Sequence, residues 1–305
     1  MAVPSETWPS LPVAEWQATR DTLTLWTQVV GKICIARTPL VNHWWNAALH
    51  LTARGLTTSL IPDASGRCFS VDFDFHTDRL DISVTDGTGG GFPLTSVRNI
   101  ADFHRRVMTS LDALDLATHI WPVPVELPDA IPFPEDDVHH EYDPDQARRF
   151  WLLLVQAHRV FTEFRSRFVG KASPVHLFWG ALDLATTRFS GRTAPPYPGE
   201  VPNCGPHVML EAYSHEVSSC GYWPGGDGEG VFYSYAYPEP PGFREAPVTP
   251  PEARYDEPLG EFVLPYETVR TSPDPDAVLL SFLQSTYEAA ADLAAWDRPA
   301  LERHP

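Results

Sequence analysis

Between residues 13 and 36, apolar residues recur at steps of three, four and seven: Trp16, Leu23, Trp26, Val30 and Ile33. That spacing predicts a helix with one buried stripe. The proline in "RTPLVN" ends it. The pattern then shortens. "HWWNAALHLTARGLTTSLI" predicts extended chain, "CFSVDFDF" alternates from Phe69 to Phe75, and "RLDISVT" follows after a turn. In "DFDFHTD" the alternation sets Asp72 and Asp74, as solvated acids, against Phe73 and Phe75. Gly87 to Gly91 predict a loop, without the GxGxxG spacing of a nucleotide site. The helical period returns over 96–116, with Ile100, Phe103, Val107, Leu111 and Leu114 on one face. "HIWPVPVEL" reads as a strand that its prolines confine to an edge.

Residues 122–146 are rich in proline and acid and predict a linker. His139 and His140 lie in its solvated loop. A long helix follows over 144–169, with Pro144 near its first position. Then come the strand "VHLFWGALDLATTRF", a Pro/Gly-rich loop at 191–206, the strand in "YSHEVSSCGYWPGG", "VFYSYAY", a Pro-rich loop at 238–258, and "EFVLPYETV". A last helix over 276–296 carries Val278, Phe282, Leu283, Tyr287, Ala290 and Leu293 along one side.

Helix, several strands, helix is thus spelled twice. "HWWNAALHLTA" from His43 lines up with "HLFWGALDLAT" from His176 at an offset of 133 residues (176 − 43), and a Val-Gly-Lys triplet, at 30–32 and 169–171, closes the helix before each. Repeated supersecondary order is the mark of duplication. The expected fold is α+β: two pseudo-repeated α-β(3–4)-α halves, each an antiparallel sheet with helices packed on one face. The halves are placed at 8–121 and 144–298, with a Pro/acid-rich linker at 122–143, as one compact unit, and a ligand site is expected in an aromatic crevice between them.

The chain has 305 residues, ample aromatic material including ten Trp, and a formal net charge of −18. That charge repels phosphate backbones and argues against nucleic acid. No apolar run reaches the roughly 20 residues of a membrane span. The N-terminal stretch "MAVPSETWPSLPVAEW" lacks the pattern of an export signal, so a soluble, cytoplasmic protein is expected. Cys34, Cys68, Cys204 and Cys220 form no CxxC pair and match no zinc-finger spacing. In a reducing compartment they are thiols, with Cys34 and Cys68 as small buried hydrophobes.

The blocks "VNHWWNAALHLTARGLTTS", "SPVHLFWGALDLATTRFSGR", "AYSHEVSSCGYWPGG" and "FLQSTYEAAADLAAWDR" resemble a bacterial family catalogued as a domain of unknown function, over Trp8 to about Arg298. The resemblance implies a free-standing soluble protein. It transfers no activity, cofactor or catalytic residue.

Candidate chemistry therefore rests on residues. Strand alternation puts His43 and His176 at the entry of apolar faces, either as hydrogen-bonded caps or as a functional pair. The mixed faces carry Trp44, His50 and Arg54 in one strand and Trp179 and Asp183 in the other, a composition suited to a small-molecule site. Asp183 needs a partner, either Arg188 or Arg192, or a ligand amine or hydroxyl. In "YSHEVSSCGYWPGG", His215 and Glu216 are adjacent and His215 and Cys220 are five apart, so a regular strand separates each pair. Glu216, Ser218 and Cys220 share a face, and the glycines beyond permit a turn with free backbone N–H groups. The tyrosines of "VFYSYAY", Tyr235 among them, form a stripe on one face.

Two functions compete. One is an enzyme on a small metabolite, with His176 and His215 as acid–base groups, Glu216 orienting and Cys220 as nucleophile. A variant has His43, His176 and His215 as ligands to a transition metal. The other is a non-catalytic module binding a small molecule through Trp44, Trp179, Arg54, Asp183, Arg188 and Tyr235. A weaker third uses the Pro-rich loops as docking surface. No nucleotide-cofactor motif is present, and oligomeric state is not encoded in any feature above.

Overall fold

In a computed structural model, which describes residues 7–303, the first apolar stripe is helix α1, Val13–Arg37. The first six residues of the N-terminal stretch considered for an export signal lie outside the described residues. From Thr22 to Cys34 almost every side chain of α1 is buried, including the polar Thr27, Gln28 and Lys32. A helix buried nearly all round sits in the middle of a layer. On one side α1 packs against α2, Ile100–Asp112, where Trp26 stacks on Phe103 with ring centroids 4.8 Å apart. On the other it meets α3, Pro144–Ser166, where Trp16 lies 4.9 Å from Phe150. α3 in turn packs on α6, Pro275–Leu293, through Phe164 and Tyr287. Short helices α4 (Pro206–Ala212), α5 (Tyr266–Arg270) and α7 (Arg298–Leu301) complete the set among the described residues. None of these helices is long and apolar enough to cross a membrane.

The helices cover two antiparallel sheets of six strands each. The first joins β1 (His50–Leu51), β2 (Gly55–Thr57), β4 (Cys68–Asp74), β5 (Arg79–Val84) and β6 (Gly89–Pro93) in that order, with β3 (Ile61–Pro62) paired to β4. The second runs β11 (Arg254–Asp256), β12 (Glu261–Pro265), β10 (Val231–Tyr237), β9 (His215–Trp223), β8 (Asp183–Thr193), β7 (His176–Phe178). The α+β class follows, and each half runs helix, antiparallel strands, helix. The edges β1 and β7 face each other. Leu49 and Leu177 exchange both backbone hydrogen bonds, at 2.9 and 2.8 Å, so neither edge is left open.

Several local expectations change. The stretch from His43 is no strand: 42–44 is a 3-10 turn in which His43 and Trp44 take positive φ (58° and 61°), and only His50–Leu51 is extended. "VHLFWGALDLATTRF" is two strands around a turn at 179–182. The 133-residue alignment therefore lays a turn on a strand. Leu51 pairs with Leu56, and Phe178 with Asp183, so the two hairpins correspond at 127 residues (178 − 51 and 183 − 56). Most of the glycine loop is strand β6, because the neighbouring β5 supplies hydrogen bonds that local propensity does not register. The 191–206 loop leads into α4, and "HIWPVPVEL" forms no strand.

The Pro/acid-rich segment 122–143 is pinned at a few buried points, with many of its other residues, His140 among them, exposed. Phe133 and Asp136 are fully buried, Asp136 accepting from His139 Nδ1 at 2.8 Å. The Gln28 amide of α1 donates to Val125 O (3.0 Å) and accepts from Val125 N–H (2.9 Å). Asp74, expected in solvent, is buried against Arg54.

Candidate functional site

Alternation sorts the second sheet. Leu184, Cys220, Tyr222, Phe232 and Leu264 face the helices and join the core. The opposite face carries Asp183, Ala185, Thr187 and Phe189 on β8, Val217, Ser219 and Gly221 on β9, Tyr233, Tyr235 and Tyr237 on β10, and Glu261 on β12. Segments 38–48 and 194–214 partly cover it.

Asp183 opens β8 at the end of the β7–β8 turn. Its carboxylate accepts from Tyr233 Oη at 2.5 Å. Tyr233 reaches it by lying across Gly221: a Cβ there would stand 2.4 Å from the phenol oxygen and 2.5 Å from Leu184 O. Glu126, from the packed belt, brings a second carboxylate. It rests on Gly180 in the same turn, where a Cβ would come 1.8 Å from Glu126 Oε1. Gln28 ties these pieces together, since its Nε2 also donates to Gly180 O at 3.4 Å. Glu261 supplies the third carboxylate, directly opposite Tyr235 on β10 by continuation of the β10–β12 register.

Among the described residues, no arginine or lysine forms an ion pair with Asp183, Glu126 or Glu261, although most other arginines are paired with acids. Burial pushes each acid up: Asp183 to about 6, moderated by the Tyr233 hydrogen bond, Glu126 to about 7 and Glu261 to about 8, the last two also repelled by Asp183. Aromatic rings finish the surface. Tyr197 and Tyr213 stack at 4.6 Å, Tyr213 Oη lies 3.1 Å from Tyr235 Oη, and Tyr233 stacks on Tyr235 at 6.2 Å. Ser219 and Thr187 hydroxyls, 2.9 Å apart, continue the polar row.

The other expected site residues are dispersed. Cys220 faces the helices, and burial pushes its thiol up to about 12, which removes the thiolate a nucleophile needs. Arg188, five residues from Asp183, is on that same helix side. It is fully buried, its guanidinium 3.5 Å from the Phe164 ring centroid and 4.2 Å from that of Tyr287, and it donates to Phe164 O. Glu216 pairs with Arg192, whose guanidinium also donates to the carbonyls ending α6. Arg54 pairs with Asp74 on the first sheet. Trp179 is core: its indole donates to Ala47 O at 2.7 Å and fills the space left by Gly31, so it closes the join between the halves where a crevice was expected. Trp44 donates to Val208 O at 3.1 Å and holds α4 down.

The histidines do not converge. His43 Nδ1 donates to Ala212 O at 3.0 Å and Nε2 accepts from Lys171 Nζ at 2.7 Å, so the ring is engaged on both sides. His215 stands edge-on to it at 5.7 Å and meets Ser214 Oγ at 3.0 Å. His176 lies apart, between Phe178, His50 and Trp45. Among the described residues both its nitrogens are buried without a partner, and burial together with the nearby His50 and Arg165 lowers it to about 3. Among the described residues no three His, Cys, Asp or Glu side chains converge as a metal set.

Asp183 and Tyr235 are thus the expected residues that the fold brings together. Tyr233 belongs to the expected tyrosine stripe, whereas Glu126, Glu261 and Tyr213 were missed, because each arrives from a separate segment. The one local signal was alternation, which sets Tyr233 and Tyr235 on a single face. No curated protein and no solved structure matches the chain. A model for a family of unknown function, DUF5996, matches residues 8–303, and the chain belongs to that family.

Proposed function

We propose that the outer face of the second sheet binds a small molecule bearing a protonated amine, held at Asp183 with Glu126 and Glu261 and flanked by the tyrosines. One observation carries this reading: Asp183, with Glu126 and Glu261 each within reach of its charge, forms an acidic group on this face that, among the described residues, has no lysine or arginine ion-pair partner. Burying like charges is costly, and they relieve it by taking up protons or by taking up a cation. A ligand ammonium supplies the missing counter-charge, and tyrosine faces favour cations and flat apolar groups. Binding displaces the shared protons, so affinity rises between about pH 6 and pH 8 while an alkylamine stays charged.

This favours the binding-module class over histidine acid–base chemistry. His176 is sealed and His43 is committed to Ala212 and Lys171. The test is thermal stabilisation and calorimetry at pH 8 with ethylamine, phenethylamine and tyramine. At least one amine should raise the melting temperature of the native protein, and Asp183→Asn should lose most of that shift. If none does, or if Asp183→Asn responds like the native chain, the reading is wrong.

A further inference from the structure

Residues 301–303 come back to the end of α3. Arg303 N–H donates to Arg167 O at 2.9 Å, and Leu301 O accepts from the N–H groups of Val169 and Gly170 at 2.8 and 3.2 Å. A cleft of about 350 Å³ opens there, lined by Arg165, Ser166, Phe168, Gly170, Ala172 and Arg303. Small-molecule sites usually measure about 300–1,000 Å³. The charge of this cleft is unlike that of a chain with net charge −18. Among the described residues the lysines and arginines pair with acids, except Lys32, Arg149, Arg165, Lys171, Arg188 and Arg303. All but the first two gather here. Arg165 and Arg303 line the cleft. Arg188 is buried with its guanidinium 5.1 Å from the Phe168 ring centroid, and its backbone bridges to Ala172. Lys171 stands between Gly170 and Ala172 and gives its ammonium to His43. Glu163 and Glu302, the nearest acids in sequence, are taken by Arg167 and Arg298.

The two lining arginines are anchored but not used up. Arg165 Nε donates to Ser173 O at 2.5 Å, and Arg303 Nε donates to Ser166 O at 3.1 Å. Covering a backbone carbonyl occupies one of the five N–H groups on each guanidinium. Among the described residues their terminal NH2 groups meet no acceptor. Side chains fixed in this way lose little further entropy when they bind. We propose that this cleft binds the phosphate group of a small phosphomonoester, its oxygens on the Arg165 and Arg303 forks and its organic part against Phe168 and Ala172. One fork satisfies the two oxygens of a carboxylate, whereas a phosphate offers three terminal oxygens to two forks. The net charge opposes a long polyanion, but a small dianion meets the local field, because salt screens acids more than about 10 Å away. The cleft shares no residue with the acidic face of the second sheet, so the two readings stand or fall separately.

Calorimetry on the full chain at pH 7.5, in a phosphate-free buffer of fixed ionic strength, tests this with phenyl phosphate and benzoate. Phenyl phosphate should bind at least tenfold tighter than benzoate, and inorganic phosphate should displace it. Arg165→Gln and Arg303→Gln should each weaken it tenfold or more. Arg165→Lys, which keeps the charge and loses the fork, should weaken it less. Both side chains are exposed, so the variants should melt like the native chain. Arg149→Gln is the control: that unpaired arginine lies about 24 Å back along α3, at 1.5 Å per residue, and its loss should leave binding unchanged. No binding of phenyl phosphate, equal binding of benzoate, or native affinity in Arg165→Gln and Arg303→Gln overturns the phosphate cleft. So does an equal loss in Arg149→Gln, which would mark a general charge effect.

Discussion

Asp183 shows how much a single residue discloses. An acid opening a run of apolar and small residues needs a partner, and the sequence offers Arg188, Arg192 or a ligand group. It cannot point to Tyr233, which comes from two strands away. That hydrogen bond favours the charged carboxylate. Tyr233→Phe should therefore raise the Asp183 pKa further above about 6 without unfolding the chain, readable as a displaced carboxyl-carbon titration by NMR. Cys220 gives the opposite lesson. Its sequence neighbourhood looked reactive, yet its position facing the helices buries it. In native protein it should stay unlabelled by thiol reagents while the half-buried Cys68 and Cys204 react; rapid labelling of Cys220 would contradict its placement.

Elements were legible in proportion to how local their causes are. The long helices follow from periodicity and caps. Asp143 accepts from the N–H groups of Asp145 and Gln146, ahead of Pro144 at the first helical position. Strand β6 and the turn at His43 follow from partners elsewhere, and propensity misplaced both. The two site glycines belong to the same level. Gly221→Ala would drive a methyl into Tyr233 and the Leu184 carbonyl, and overpacking of this kind costs about 1–3 kcal/mol. Gly90→Ala on β6, whose nearest neighbour would be 3.7 Å away, is the matched control. Urea denaturation should separate the two clearly, with the amine response lost only in Gly221→Ala.

For the whole molecule, the perturbed groups set opposite slopes of stability against pH. Asp183, Glu126 and Glu261 titrate higher in the folded state than the unfolded value of about 4. Between that value and about 8 the native state holds more protons, so stability falls as pH rises. His176 is lowered to about 3 against an unfolded value near 6.5, so between those values the native state holds fewer protons and stability falls as pH drops. His43, His50, His104 and His158 are shifted the same way. The melting temperature should therefore peak near pH 6. Glu261→Gln should flatten the alkaline limb and His176→Leu the acid limb. A profile rising monotonically from pH 5 to pH 8 would contradict the burial of the acids. By itself the sequence determined the helices, the alternating strands, the α+β class and the need of Asp183 for a partner, because these depend on periods and charges within one segment. Only the tertiary structure decided that Tyr233 meets Asp183 with Glu126 over the turn before it, while His43, His176 and His215 do not converge. That meeting is made by a belt, a turn and two strands far apart in the chain, whose register and facing are set by packing.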